Sequence, residues 1–288
     1  MAVYERAYRG YAGGYTREAT RFFALARYGV QRVFAARLFV AFYAACFLPA
    51  VVLGTLIYGS HNAKVLAFLR VDPGDVVLIN SPMFMGFLAF EGKFLGFLLA
   101  LIVGPALIAP DLANNALPLY LSRPFNRTEY IAGKLAVLIG LLSTITWVPY
   151  LLLYALQAYF AGWEWTKDNL NIPGAIFVGS WIWILCISTI ALAAPALLKS
   201  KLWSRVFMFV VLFALAAFGA VLAEGLGLGL GHNLNVFQMN LVVWSEMFDV
   251  PIGEGSRPLW SAWATLIGAC AISLGILYRK VRAYEVVR

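Results

Sequence analysis

Long apolar runs alternate with short polar connections along the whole chain. Six of the runs are long enough to cross about 30 Å of hydrocarbon as a helix. The short segments of alternating hydrophobicity that are typical of a membrane barrel do not occur. The sequence therefore predicts an all-α, polytopic membrane protein with six transmembrane helices, at residues 38–58, 84–108, 135–160, 175–198, 206–230 and 259–278.

The second apolar run carries two charges, Glu91 and Lys93, in its first half. Charged side chains are costly within the hydrocarbon layer. Two interpretations remain open: the span begins near Phe94, or a short re-entrant piece precedes it.

Prolines fall inside four of the predicted spans. A proline removes one backbone hydrogen bond and crowds the preceding turn, so that a helix bends or breaks there. We expect kinks at Pro49, Pro105, Pro149 and Pro195.

The segment before the first span has helical periodicity from Thr16 to Phe34. One side of this helix is basic and the other is apolar, with Leu25 as an exception. The pattern predicts an amphipathic interfacial helix that either rests on anionic lipid or docks a partner. The basic positions are Arg17, Arg21, Arg27 and Arg32, and the apolar positions are Phe22, Phe23, Ala26, Val30, Val33 and Phe34.

Basic residues are distributed unequally between the two sides. All but five of the 22 lysines and arginines lie in connections on the side of the chain termini. By the positive-inside rule, both termini and the region 104–134 face the cytoplasm. The chain then forms one transmembrane domain over 1–288, with a cytoplasmic segment 1–37, a bundle 38–278 and a cytoplasmic tail 279–288.

Two connections on the opposite side have recognisable content. Residues 59–83 include a strong turn signal at 71–75, which predicts a small outer cap. Residues 234–248 have an apolar side that predicts an amphipathic helix on the outer surface, either as a shield for the bundle or as a gate over a substrate exit. The apolar side consists of Phe237, Leu241, Trp244 and Phe248.

Composition agrees with a membrane protein, since 62% of the residues are hydrophobic and only 12% are charged. The three cysteines (Cys46, Cys186 and Cys270) lie within apolar runs, so we expect neither a disulfide framework nor a metal site. We also expect no cleavable signal peptide, because seven arginines precede the first long apolar run.

Few residues suit catalysis within the membrane. His61 and His232 are the only histidines and both fall in outer connections, which excludes haem ligation by helices and the H-E-x-x-H type of zinc site. No Walker motif occurs. Glu224 lies near the outer end of the fifth span, either as an interfacial carboxylate or as a proton or cation site.

The stretch 104–134, GPALIAPDLANNALPLYLSRPFNRTEYIAGK, is polar, rich in proline and set between two apolar runs. We expect it at or outside the bilayer surface, either held at the lipid headgroups or used to dock a soluble partner. Pro124 favours a turn, and Asn126 is suited to cap a short amphipathic piece from Arg127 to Lys134.

This stretch resembles the segment after the second span in permease subunits of ATP-binding-cassette (ABC) exporters of the type-2 group. The matching features are Asp111, the apolar residues 117–121, Arg123-Pro124, Arg127 and Gly133-Lys134. Many members carry glutamate and a Gly-Thr pair where this chain has Asp111 and Asn115-Ala116, a departure that concerns the subgroup and its substrate.

The resemblance implies a non-catalytic transmembrane subunit in a bacterial-type cytoplasmic (inner) membrane. Its expected partners are a second permease copy and two cytoplasmic ATPase subunits, without nucleic acid, metal or cofactor. Arg123 and Arg127 would pair with carboxylates of the ATPase, Tyr130 would anchor in a pocket, and Asp111 would bond within the loop. The implied coupling residues are Asp111, Arg123, Pro124, Arg127, Tyr130 and Lys134.

Two other functional classes remain as alternatives. A membrane-embedded enzyme or an assembly subunit of a membrane complex should contain buried ionisable or metal-binding residues, which the sequence does not suggest. An ion-coupled carrier should show broken helices with charges near the midplane and an internal repeat, and the sequence suggests neither.

Overall fold

A computed structural model of the chain describes residues 20–62, 78–117, 126–251 and 258–281. Within these ranges the chain is helical, and six helical stretches are long and apolar enough to cross a membrane. The prediction of an all-α protein with six membrane-spanning helices is confirmed.

The helices are numbered along the chain, and each span is assigned to one or two of them. Span one consists of α2 and α3, span two of α4, span three of α5 and α6, span four of α7, span five of α8, and span six of α10. The bounds are α1 Arg21–Phe34, α2 Arg37–Ala45, α3 Leu48–Ser60, α4 Ser81–Ala113, α5 Arg127–Ile145, α6 Trp147–Asp168, α7 Asn171–Leu198, α8 Lys201–Ala220, α9 Val236–Phe248 and α10 Leu259–Lys280.

Helix α7 is the centre of the bundle, because it packs against α4, α5, α6, α8, α9 and α10. Small side chains permit the closest approach. A Cβ atom placed on Gly104 of α4 would lie only 2.6 Å from the Ala191 Cβ of α7. Close backbone contact through small residues is a usual way for helices to associate in membranes.

Two of the four prolines coincide with interruptions of a span. Pro49 follows the break between α2 and α3, and Pro149 follows the break at Thr146 between α5 and α6. In each case the helix stops about one turn before the proline, where its ring crowds the preceding backbone. Pro105 and Pro195 lie within continuous helices.

The second span neither begins near Phe94 nor follows a separate re-entrant piece, so both predicted alternatives are wrong. Helix α4 runs without a gap from Ser81 to Ala113, and the segment Glu91–Gly96 is a π-helix within it. The wider π-helical turn accommodates one additional residue without ending the helix. The two charges are therefore inside the span.

The stretch 104–134 does not lie wholly outside the bundle, which corrects the prediction from its composition. Its first part, through Ala113, is the end of α4, and its last part, from Arg127, is the start of α5. Leu107, Asp111 and Lys134 are buried. The predicted short piece from Arg127 to Lys134 is thus the first two turns of the third span.

The fifth span is shorter than predicted at its far end. A π-helix, Val221–Gly225, extends α8, and the chain then folds back through a 3-10 helix at Gly229–Leu234. Gly227 has a positive φ of 67°, a conformation that glycine adopts readily. The returning backbone packs against Gly219 of α8, where a side chain would clash with the Gly231 carbonyl.

Helix α1 packs against α5 through a stripe that the sequence did not assign correctly. Leu25, Gly29 and Val33, spaced by four residues, are buried, whereas Phe23 is exposed. Gly29 faces Val137 and Gly133 faces Leu25 at close range. The exception in the predicted pattern, Leu25, is therefore part of the packed face.

Helix α9 packs one face against the bundle. It contacts α4, α7 and α10, and its buried residues include Met239 and Val243 as well as Trp244 and Phe248. Of the four predicted apolar positions, Phe237 and Leu241 are only partly buried. The predicted turn at 71–75 lies outside the described residues.

Candidate functional site

A buried polar cluster joins spans two and three at the end of the bundle where α1 lies. The Lys134 ammonium group is 2.7 Å from Asp111 Oδ2, and the Tyr130 hydroxyl donates a 2.8 Å hydrogen bond to the same oxygen. Lys134 Nζ also donates to the Leu107 carbonyl at 2.8 Å. We call Asp111, Tyr130 and Lys134 the coupling cluster.

The coupling cluster is enclosed and nearly neutralised. Its three residues are between 1% and 5% exposed, so that water cannot replace their mutual contacts. The Lys134 ammonium also lies 5.3 Å from the centre of the Tyr130 ring, within the range of a cation–π interaction. A buried ion pair of this kind resists removal of either partner, because the other would be left uncompensated.

Helix α1 contributes a further charge to this cluster. Arg32 Nη1 lies 4.0 Å from Asp111 Oδ1, with about half of the arginine side chain exposed. Together with the packing of Leu25 and Gly29 on α5, this contact fastens α1 to both adjoining spans. A displacement of α1 would therefore be passed to α4 and α5.

The start of α5 is fixed by its own residues. Asn126 occupies the N-cap position, as predicted, and its backbone N–H donates to Glu129 Oε2 at 3.0 Å. In return, the Asn126 side chain accepts from the backbone N–H of Glu129, so that the pair forms a capping box. This arrangement satisfies amide groups that a helix end leaves free. Arg127 is the first residue of α5 and is partly exposed.

The predicted coupling and interfacial residues are not all described. Arg123, Pro124 and Arg17 lie outside the described residues, as does the side chain of Arg21. The structure brings Asp111, Tyr130 and Lys134 together. The Tyr130 hydroxyl is buried and bonds to Asp111 of the same chain. Arg27 is exposed on α1.

The π-helical segment of α4 places a second acid inside the bundle. Glu91 is 0% exposed, and neither carboxylate oxygen has a hydrogen-bond partner among the described residues. Cys46, beside the break in span one, and Tyr150, beside the break in span three, are close enough to interact with it electrostatically. The Glu91 carboxyl group thus lies in the π-helical turn of span two and near residues beside the breaks in spans one and three.

Two tryptophans fix the π-helical segment and helix α9. Trp183 Nε1 donates to the Gly92 carbonyl at 2.8 Å, and Trp244 Nε1 donates to the Gly179 carbonyl at 2.9 Å. A Cβ atom on Gly92 would come within 3.1 Å of Trp244 and 3.2 Å of Trp183. Trp244, one of the predicted gate residues, is therefore buried, and its ring packs between α4 and α7.

Metal and redox chemistry have little support in the described part of the chain. No group of three or more histidine, cysteine or acidic side chains there could hold a metal ion. Cys186 of α7 and Cys270 of α10 are free thiols on two helices that pack against each other. Glu224 lies at the exposed end of α8.

Sequence reasoning missed the burial of Glu91 and the pairing of Asp111 with Lys134. The only available signal was each charge's position at or within an apolar run, which was interpreted as a boundary of the membrane. The sequence suggested that buried ionisable residues are absent, and the burial of Glu91 corrects that statement.

Comparison with known proteins adds no family assignment. No protein-family model matches the chain, and no curated protein matches it.

Proposed function

We propose that this chain is the membrane-spanning permease subunit of an ABC transporter of the exporter type. Separate cytoplasmic ATPase subunits would hydrolyse ATP, and a pair of permease chains would move a solute outward across a bacterial-type inner membrane. In this arrangement both chain termini and the coupling cluster lie on the cytoplasmic side, as the distribution of basic residues predicts.

The coupling cluster is the single observation that supports the proposal most strongly. An ATPase can act on a membrane subunit only through elements that touch both and that do not yield. The start of α5 and the helix α1 are joined to the end of α4 through Arg32, Asp111, Tyr130 and Lys134. A force applied at either element would tilt both spans together.

The mechanism assigns separate roles to exposed and buried residues. Arg127 at the start of α5, with Arg123 before it, would bind carboxylates of the ATPase by charge-assisted hydrogen bonds. Lys134 and Tyr130, seven and three residues further on, would receive that motion and pass it to Asp111 at the end of α4. The backbone breaks at Thr146 and after Ala45 would then let the distal halves of spans one and three move differently from their proximal halves.

The test is a double charge reversal, Arg123→Glu with Arg127→Glu. The chain is first purified with an affinity tag from its native membrane, and the co-purifying ATPase is identified by peptide sequencing. We expect the reversal to reduce association and transport-coupled ATP hydrolysis by at least about tenfold, since like charges would then face each other across the interface.

A matched control uses Arg279→Glu with Lys280→Glu, which reverses two charges in the last turn of α10. Both double variants should insert and unfold like the original chain. Normal coupled activity in the Arg123 and Arg127 double variant, or transport by the purified chain without any ATPase, would refute the proposal.

An ion-coupled carrier is a second candidate, favoured by one observation. Glu91 is a buried acid beside breaks in two neighbouring spans, and such features mark ion sites in carriers. This candidate predicts nucleotide-free uptake or release driven by a proton or sodium gradient in proteoliposomes, and its loss in Glu91→Gln.

A further inference from the structure

Lys93 is a second charge within span two that has no partner among the described residues, and it lies on the opposite side of the helix from Glu91. It lies about 18 Å from Ser81 along the axis of α4, at 1.5 Å per residue. If the hydrocarbon layer is centred on this helix, Lys93 is about 6 Å from the midplane. That depth is costly for an ammonium group, and charges at such positions usually mark a ligand pathway.

The described part of the chain supplies no counter-charge for Lys93. Neither an ion pair nor a hydrogen bond joins its ammonium group to any described residue. Glu91 is only two residues away, but positions two apart do not face each other on a helix. Glu91 is buried in the bundle, whereas Lys93 is partly exposed.

An open aromatic and apolar surface flanks Lys93 along α4, where Phe90 is three residues before it and Phe94 is one residue after it. Phe90 and Phe94 are each 53% exposed, and their rings stack at 5.5 Å. Phe90 also forms one end of a groove of about 590 Å³ between α3 and α4. The side chains lining this groove are apolar and include Leu48, Pro49, Val52, Met83 and Phe87.

A groove of this size is within the range of small-molecule sites. A hydrocarbon chain fits its lining. Lys93 follows Phe90 by three residues, and residues three apart on a helix are neighbours, so an anionic group at the Phe90 end would be within reach of its ammonium group. We propose that Lys93 and this groove bind an anionic amphiphile, a molecule with one phosphate or carboxylate head and a hydrocarbon chain. Charge complementarity selects this occupant over a neutral solute, because a neutral solute would leave the ammonium group unpaired.

This inference specifies the substrate class of the transport function proposed above, but binding does not require ATP or an ATPase. Failure of binding would therefore overturn the amphiphile site and leave the coupling proposal standing. Failure of ATPase association would overturn the coupling proposal and leave the amphiphile site standing.

The experiment measures binding of hexadecyl phosphate to the purified full-length chain in neutral detergent, by native mass spectrometry. Hexadecyl phosphocholine, with the same chain and a zwitterionic head, is the comparison probe. We expect Lys93→Met to weaken hexadecyl phosphate binding at least about tenfold, which corresponds to about 1.4 kcal/mol. Lys93→Arg should retain binding, because it preserves the charge.

Lys167→Met is the matched control, since Lys167 is a half-exposed lysine paired with Glu164 at 3.8 Å, far along the chain from the groove. It should bind like the original chain. Unfolding temperatures of all variants establish that they are folded. Equal binding by Lys93→Met and the original chain, or equal affinity for the two probes, would overturn the proposal.

Two further measurements identify the natural occupant. Displacement of hexadecyl phosphate by diacyl phosphatidylglycerol, but not by inorganic phosphate, supports the site with a bilayer lipid as its source. Displacement by neither supports a single-chain solute. If Lys93→Met instead reduces the dimer fraction without changing amphiphile binding, a second copy covers this surface and the proposal fails.

Discussion

Asp111 and Lys134 should be strongly coupled in their contribution to stability. Asp111→Ala would leave the buried Lys134 ammonium without a counter-charge, with the Leu107 carbonyl at 2.8 Å and the Tyr130 ring as its partners. Lys134→Met would leave the Asp111 carboxylate with the Tyr130 hydroxyl and the distant Arg32. Each substitution removes one partner of a buried pair, so each should lower the free energy of unfolding by about 3–5 kcal/mol.

The double variant should be far less destabilised than the sum of the two single variants. With both charges removed, no ionised group of the pair remains buried, and replacement of such a pair by apolar residues is often nearly neutral. We therefore expect a coupling energy of at least about 2 kcal/mol in the cycle, within the range known for residues in direct contact.

The assay is unfolding of the purified chain in mixed micelles by titration with sodium dodecyl sulfate, followed by circular dichroism. The control cycle uses Glu164→Ala and Lys167→Met, a surface pair at 3.8 Å with side chains 91% and 50% exposed. Exposed pairs contribute about 0–1 kcal/mol, so this cycle should show little coupling. Additivity of the Asp111 and Lys134 effects within about 0.5 kcal/mol would refute the reasoning.

Two glycine substitutions test the packing around α7, with Gly140→Ala as a control because nothing lies within 4 Å of the Cβ it would add. Gly104→Ala places a methyl group 2.8 Å from the Ala191 backbone oxygen and should lower the unfolding free energy by about 1–3 kcal/mol. Gly179→Ala meets the Trp244 ring at 2.9 Å, and it should also shift the fluorescence of that tryptophan as α9 moves outward. In the control, the free energy of unfolding should be unchanged or up to about 1 kcal/mol higher, because alanine favours a helix more than glycine does. Equal effects at all three sites would contradict the packing described.

The number and approximate position of the spans could be predicted from the sequence because they depend on local properties. A run of about 20 apolar residues has few alternatives to crossing the bilayer as a helix. The capping residue Asn126 and the breaks before Pro49 and Pro149 follow equally local rules of backbone hydrogen bonding. Such features do not depend on which helices become neighbours.

The position of each charge relative to the bundle was decided by the tertiary structure. The sequence placed Glu91 and Lys93 at a membrane boundary and Asp111 in a connection, because a charge in an apolar run ordinarily ends it. The fold instead buries Asp111 against Lys134 and carries Glu91 inside through a π-helical turn. Hydropathy reflects the free-energy cost of placing a charged side chain of an isolated helix in the hydrocarbon layer. Contacts between helices determine whether that cost is offset.

The same distinction applies to the faces of α1 and α9. Periodicity ranks residues by their own polarity, and it therefore assigned Leu25 to the wrong side of α1 and gave Phe237 and Leu241 the same weight as the buried Trp244. Close packing of Gly133 on Leu25 and of Gly179 on Trp244 requires glycines about 65 to 110 residues distant, which a local pattern cannot register. The sequence determined that these segments are helices, and the arrangement of the neighbouring helices determined which face of each is buried.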